Sequence, residues 1–86
     1  MQAEGTVAGR PFYFRARYDE WTFAVADQPG VDPGDIDSAD AARGRGWFRS
    51  ETVGAPREFG ASYLSVNDAT SLIRRCAAEY IAERIG

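Results

Sequence analysis

Residues 10–25 run Arg-Pro-Phe-Tyr-Phe-Arg-Ala-Arg-Tyr-Asp-Glu-Trp-Thr-Phe-Ala-Val, and their alternation decides the fold. Successive side chains of a strand point to opposite faces, so Phe12, Phe14, Ala16 and Tyr18 share one side and Tyr13, Arg15 and Arg17 the other. Beyond Asp19-Glu20, Trp21, Phe23 and Val25 alternate with Thr22, Ala24 and Ala26. With Asp19-Glu20 as a two-residue turn, the register places Tyr18 opposite Trp21, Ala16 opposite Phe23 and Phe14 opposite Val25 on an aromatic face. The other face then pairs Arg17 with Thr22 and Arg15 with Ala24.

Upstream, Ala8-Gly9 reads as a second two-residue turn that sets Val7 against Arg10, Gly5 against Phe12 and Glu4 against Tyr13. Gly5 then lies under the Phe12 ring. Glu4 comes within diagonal reach of Arg15, an ion pair worth roughly a few tenths of a kcal/mol. Pro11 has no amide donor and sits at the start of its strand, where the loss is best tolerated.

Downstream, residues 27–46 break the alternation with Pro29-Gly30, Pro33-Gly34 and a closing Arg43-Gly44-Arg45-Gly46, a loop with one helical turn expected at Ser38–Arg43. Strand character returns at Trp47–Val53, and a further loop through Phe59-Gly60 leads to Tyr63-Leu64. Ser65 and Asp68 form a capping-box-like start signal for a helix. Apolar residues then fall at 66, 69, 72, 73, 76, 77, 80, 81 and 85, the stripe of an amphipathic helix.

These pieces predict an α+β fold. An antiparallel sheet of three to four strands (about 3–8, 11–18, 21–26 and 47–53) carries one C-terminal helix (about 66–85) on its aromatic face, a two-layer sandwich. The 86 residues make one domain, 1–86, because a chain of this length cannot bury two cores. The helix offers Ala69, Cys76 and Ala77 where the aromatic rings of the sheet need room.

Charge narrows the function. The chain has no His and no Lys, so all ten cations are Arg against thirteen carboxylates. That removes His bases and ligands, Ser-His and Cys-His pairs, Schiff-base lysines and the P-loop lysine. No enzyme class has a positive signal, and no catalytic residue, metal ligand or cofactor site is assigned. Small carboxylate-pair chemistry survives only on the abundance of acids. Cys76 lies on the apolar stripe without a His partner and reads as a small buried hydrophobe. A single cysteine excludes an intrachain disulfide and suits a reducing compartment. With no basic segment before an apolar run and no stretch of 18 apolar residues, neither secretion nor a membrane span is expected, and the expected location is the cytoplasm.

The net charge of −3 is unevenly distributed. Asp27, Asp32, Asp35, Asp37 and Asp40 occur without an intervening cation, a local charge of −5, and the ten arginines against the eight other acids leave +2 elsewhere. A calcium loop of the EF-hand type fails on spacing: counted from Asp35, position five is Ala39, position six is Asp40 and position twelve is Gly46. The five Asp residues are the first candidate site, carboxylates that imitate phosphates and dock on an Arg- or Lys-rich protein surface. The alternative is a solvated loop whose Asp and Gly residues only favour turns. Tyr13, Arg15 and Arg17 on the outer sheet face form a second candidate, an aromatic flanked by cations. Trp47 and Phe59 beside Gly-rich segments are further candidate contacts. A pI near 4.8 argues against direct nucleic-acid binding.

The Gly-Arg-Pro-Phe-Tyr-Phe-Arg-Ala-Arg strand, the Trp-Thr-Phe-x-Val strand, the acidic insertion and the Arg-Arg-Cys-Ala-Ala-Glu-Tyr-Ile helix together resemble small single-domain proteins of phages and mobile elements. In size, acidity and lack of catalytic residues the chain is similar to anti-CRISPR proteins that block type I surveillance complexes. Such proteins share no single fold, so the resemblance assigns no residue a role. It implies a stoichiometric inhibitor that occupies a basic DNA-binding or subunit surface in the host cytoplasm. A nucleic-acid-associated module built on Tyr13, Arg15 and Arg17, or a protein–protein adaptor, are the alternatives. Oligomeric state stays open, because an uncovered sheet edge can pair with itself.

Overall fold

A computed structural model describes residues 2–17, 20–52 and 66–85, with Arg17 described in its backbone only. Four strands, β1 (Gln2–Val7), β2 (Arg10–Arg17), β3 (Glu20–Val25) and β4 (Trp47–Thr52), form an antiparallel sheet in the order β1-β2-β3-β4. The register of β1 on β2 is the expected one: Val7 faces Arg10, Gly5 faces Phe12 and Glu4 faces Tyr13. The connecting Ala8 and Gly9 both have positive φ, 51° and 78°, the type I′ combination whose twist matches the strands it joins. A Cβ on Gly5 would lie 2.8 Å from Phe12 Cε2, so only glycine lets the ring lie across β1.

The register of β2 on β3 differs from the expected one by two residues. Phe14 faces Phe23, Ala16 faces Trp21 and Arg17 faces Glu20. A shift of two leaves every side chain on its own face, so alternation alone does not distinguish the two registers. The observed one gives the Trp21 indole the smallest partner, Ala16, and stacks Phe12 on Phe23 at 5.1 Å between ring centroids.

Helix α2 (Val66–Arg84) covers the aromatic face. Its Ala69, Cys76 and Tyr80 are buried against Val7, Phe14, Ala16, Trp21, Phe23, Val25 and Trp47, with Leu72, Ile73 and Ala77 at the margin. Trp47 meets Phe23 and Tyr80 edge-on, at 6.1 and 5.6 Å. The apolar stripe is used only from 69 to 80. Val66 is 74% exposed and Ile85 50%, and Ile81 is exposed as well. Residues 69–80 span about 17 Å of helix, close to the ~17–20 Å length of a short strand. Tyr63, Leu64 and the expected cap Ser65 lie outside the described residues. No helix among the described residues is long and apolar enough to cross a membrane.

The second face is not left bare. The segment after β3 folds back over it through a 3-10 turn at Pro33–Asp35 and a short helix, α1 (Ser38–Ala42), the helical turn expected there. Val31 and Ile36 pack on Ala24, Ala26 and Phe48, so a partial third layer is added to the two-layer arrangement. The segment closes on Gly46, where φ is 133° and a Cβ would come within 2.6 Å of Ile36 Cδ1 and 3.0 Å of the Val25 carbonyl oxygen. Any other residue there would displace either the Ile36 anchor or the strand.

Candidate protein-docking surface

The acidic segment is fixed at three levels. Ile36 is buried and Val31 half-buried against the sheet. The two ends are clasped by Gln28, whose Nε2 donates to the Gly44 carbonyl at 2.7 Å. Between them the Asp side chains organise their own backbone. Asp32 caps the 3-10 turn by accepting from the Gly34 amide at 2.8 Å. Asp37 accepts from the Asp40 amide at 2.8 Å while Asp40 accepts from the Asp37 amide at 3.3 Å, a reciprocal capping box. At the other end of α1, the Gly44 amide donates to Ala41 and the Arg45 amide to Asp40, the paired bonds of a Schellman ending.

The result is an ordered acidic surface. Asp32, Asp35 and Asp37 are exposed and Asp40 is half-buried. Asp32, Asp35 and Asp40 line an open cleft of about 280 Å³ together with Val31, Ile36 and Arg45. Arg43 and Arg45 are exposed on the return of the loop, which makes its outgoing limb acidic and its returning limb basic. Among the described residues, no three His, Cys, Asp or Glu side chains converge to hold a metal ion.

Asp27 stands apart from the other four. Its side chain is 11% exposed, pairs with Arg84 Nη1 at 3.3 Å and accepts from the Tyr80 hydroxyl at 3.3 Å. The Tyr80 hydroxyl in turn accepts from Arg10 Nη1 at 2.8 Å, and Arg84 Nη2 donates to the Gly46 carbonyl at 3.3 Å. This carboxylate is an internal anchor that ties the start of the acidic segment to the end of α2, while Arg84 holds its other end at Gly46, and Asp27 has little surface to offer a partner.

Of the second set of candidates, Tyr13, Arg15 and Trp47 are described with their side chains. Tyr13 is half-buried and donates to Gln2 Oε1 at 2.6 Å. Arg15 is exposed, and the expected Arg15–Glu4 ion pair is not formed among the described residues. Gln2, directly opposite Arg15, takes up Tyr13 instead. The Arg17 side chain and Phe59 lie outside the described residues. Trp47 is 2% exposed, and its ring is part of the core. What solvent meets at that position is Arg49, whose guanidinium lies 4.2 Å from the Trp47 ring centroid.

Sequence reasoning missed the cluster around that indole. Arg49 pairs with Glu79 at 3.7 Å and also with Glu83, while Trp47 Nε1 donates to Glu83 Oε1 at 3.1 Å. The hydrogen bonds from Trp47 and then Arg49 hold the Glu83 carboxyl below its ordinary value. The i+4 pair of acids on one helix face was a legible signal, but nothing local pointed to the strand residue that meets it. Cys76 is buried, and burial pushes its thiol up to about 11, so it stays protonated and inert in neutral solution. No family model, curated protein or solved structure matches this chain, so the functional reading rests on the residues and their arrangement.

Proposed function

We propose that this is a non-enzymatic, cytoplasmic binding protein that inhibits a nucleic-acid-handling complex by docking an acidic surface on a basic protein surface. The observation that carries the reading is the fixing of Asp32, Asp35 and Asp37 as exposed carboxylates on a segment pinned by Val31 and Ile36. A surface ordered before contact loses little conformational freedom on binding, and its charge speeds encounter with a cationic groove. The finer partner assignment, a type I CRISPR surveillance complex, is supported by the resemblance of the chain layout alone.

The nucleic-acid reading ranks second for an electrostatic reason. Val31 and Ile36 seat the acidic segment on the same sheet face that carries Tyr13 and Arg15, so a phosphate chain approaching Arg15 meets the field of those carboxylates.

Binding of the purified protein to purified type I surveillance complexes, together with target-DNA binding by those complexes, tests the proposal. Wild type is expected to bind in a salt-sensitive manner and to compete with DNA. The triple variant Asp32→Asn, Asp35→Asn, Asp37→Asn keeps the side-chain acceptors that cap the backbone and removes the charge. Its affinity is expected to fall about tenfold, with an unchanged circular dichroism spectrum. Equal affinity of the variant sinks the acidic mechanism, and a gel shift of DNA or RNA by the protein alone would favour the second reading.

A further inference from the structure

We propose that the outer edge of β1 is a homodimer interface, two copies pairing β1 with β1 antiparallel about Gly5 to make one continuous sheet. The proposal does not depend on the acidic-surface reading. Among the described residues, β1 lies at the end of the sheet and is paired with β2 alone. Because Ala8-Gly9 is a two-residue type I′ turn, Val7 and Arg10 form a hydrogen-bonded pair, and such pairs alternate with non-bonded ones along the ladder. The peptide groups of Ala3, Gly5 and Val7 therefore point inward to β2, and those of Gln2, Glu4 and Thr6 point out from the edge.

Edges of this kind are normally protected by a proline, a lysine, a bulge or a covering element. β1 contains neither proline nor lysine, and its six residues pair with β2 without a break in register. Gln2, Glu4, Gly5 and Thr6 are exposed.

The occupant must be apolar on the helix side and polar on the other, with the same parity of outward peptide groups. A second β1 meets all three conditions. Antiparallel pairing that matches outward groups to outward groups allows centres at Ala3, Glu4, Gly5 or Thr6, and centring on Ala3 pairs only Gln2 to Glu4 within the two strands. Centring on Glu4 sets two carboxylates directly opposite each other, a destabilising arrangement. Centring on Thr6 moves Glu4 opposite the turn residue Ala8. Centring on Gly5 places Glu4 opposite Thr6 of the second copy, twice, with reciprocal backbone hydrogen bonds in each pair, and Ala3 opposite Val7 on the helix side. Gly5 and Phe12 supply an independent reason for that centre. The half-buried Phe12 ring already lies over Gly5, so the two rings would converge across paired glycines and extend the aromatic row Phe12, Phe23, Trp47 into the second copy.

Sedimentation velocity across the micromolar to millimolar range tests this. Wild type is expected to dimerise. Thr6→Pro deletes an outward amide without touching the β1–β2 bonds and is expected to be monomeric with an unchanged melting curve. Thr6→Lys sets an ammonium opposite Glu4 of the second copy and is expected to tighten the dimer about fivefold, while Thr6→Glu is expected to loosen it about fivefold. The Lys and Glu variants decide the matter if the Pro variant fails to fold. A wild-type protein that stays monomeric throughout overturns the proposal. So does a dimer unaffected by Thr6→Pro, or one whose affinity does not move in opposite directions with Lys and Glu.

Discussion

The two faces of the sheet are finished by different means. On one, α2 buries Tyr80, Cys76 and Ala69 against a continuous aromatic floor. On the other, two aliphatic side chains, Val31 and Ile36, hold down a long acidic segment over Ala24, Ala26 and Phe48. The helix face therefore carries the stability of the fold. The loop face fixes a backbone with little apolar contact, and Asp32, Asp35 and Asp37 keep their charge exposed to solvent.

Substitutions on the two faces test that division, beginning with the largest effect. Phe23→Ala removes the ring at the centre of the helix-side core and is expected to cost about 3–5 kcal/mol, enough to abolish cooperative thermal unfolding in a domain of this size. Ile36→Ala is expected to cost about 2 kcal/mol and to raise hydrogen exchange in residues 28–46 while leaving α2 protected. Equal global loss in both variants would mean that the two faces are not energetically distinct. Tyr80→Phe keeps the helix-side packing and deletes the hydroxyl that Arg10 and Asp27 share. Its expected cost is about 1–2 kcal/mol, and it should loosen the loop face more than the core, as seen in amide exchange around residue 27.

The smallest effect concerns Cys76 and is confined to alkaline solution. Burial raises its thiol from 9.0 in the unfolded chain to about 11 in the folded one. The folded protein therefore holds a proton that the unfolded chain releases between those values. Stability is unaffected below pH 9 and declines as pH rises toward 11, a decline that Cys76→Ala should remove from urea titrations. Slow labelling of Cys76 by thiol reagents in the native state reports the same burial.

Much of the helix face was legible because its signals are periodic. Phe12, Phe14, Trp21, Phe23 and Val25 declare a strand pair, and Ala69 to Tyr80 declare the helix that covers it. Period-two alternation does not encode absolute register, which is why the β2–β3 pairing was displaced by two, whereas the Ala8-Gly9 turn pinned the β1–β2 pairing correctly. The extent of the helix contact was hidden for a similar reason: the stripe continues through Ile81 and Ile85 whether or not a sheet lies beneath them. On the loop face the exposed Asp residues were visible, but their division of labour was not. Asp27 looks like Asp35 in the sequence, and only the approach of Tyr80 and Arg84, far along the chain, makes it an anchor.

The junction of Arg10, Tyr80, Asp27, Arg84 and the Gly46 carbonyl also sets an order of events for folding. Its contacts span 70 residues between Arg10 and Tyr80 and 57 between Asp27 and Arg84. Such long closures form late, after local hairpins and helical turns. On a ribosome, the hairpins of β1, β2 and β3 can assemble while α2 is still being made, but the two ends of the acidic segment, Asp27 and Gly46, are tied down only when α2 docks. The segment proposed to meet a partner thus has its two ends secured in the same step that closes the core.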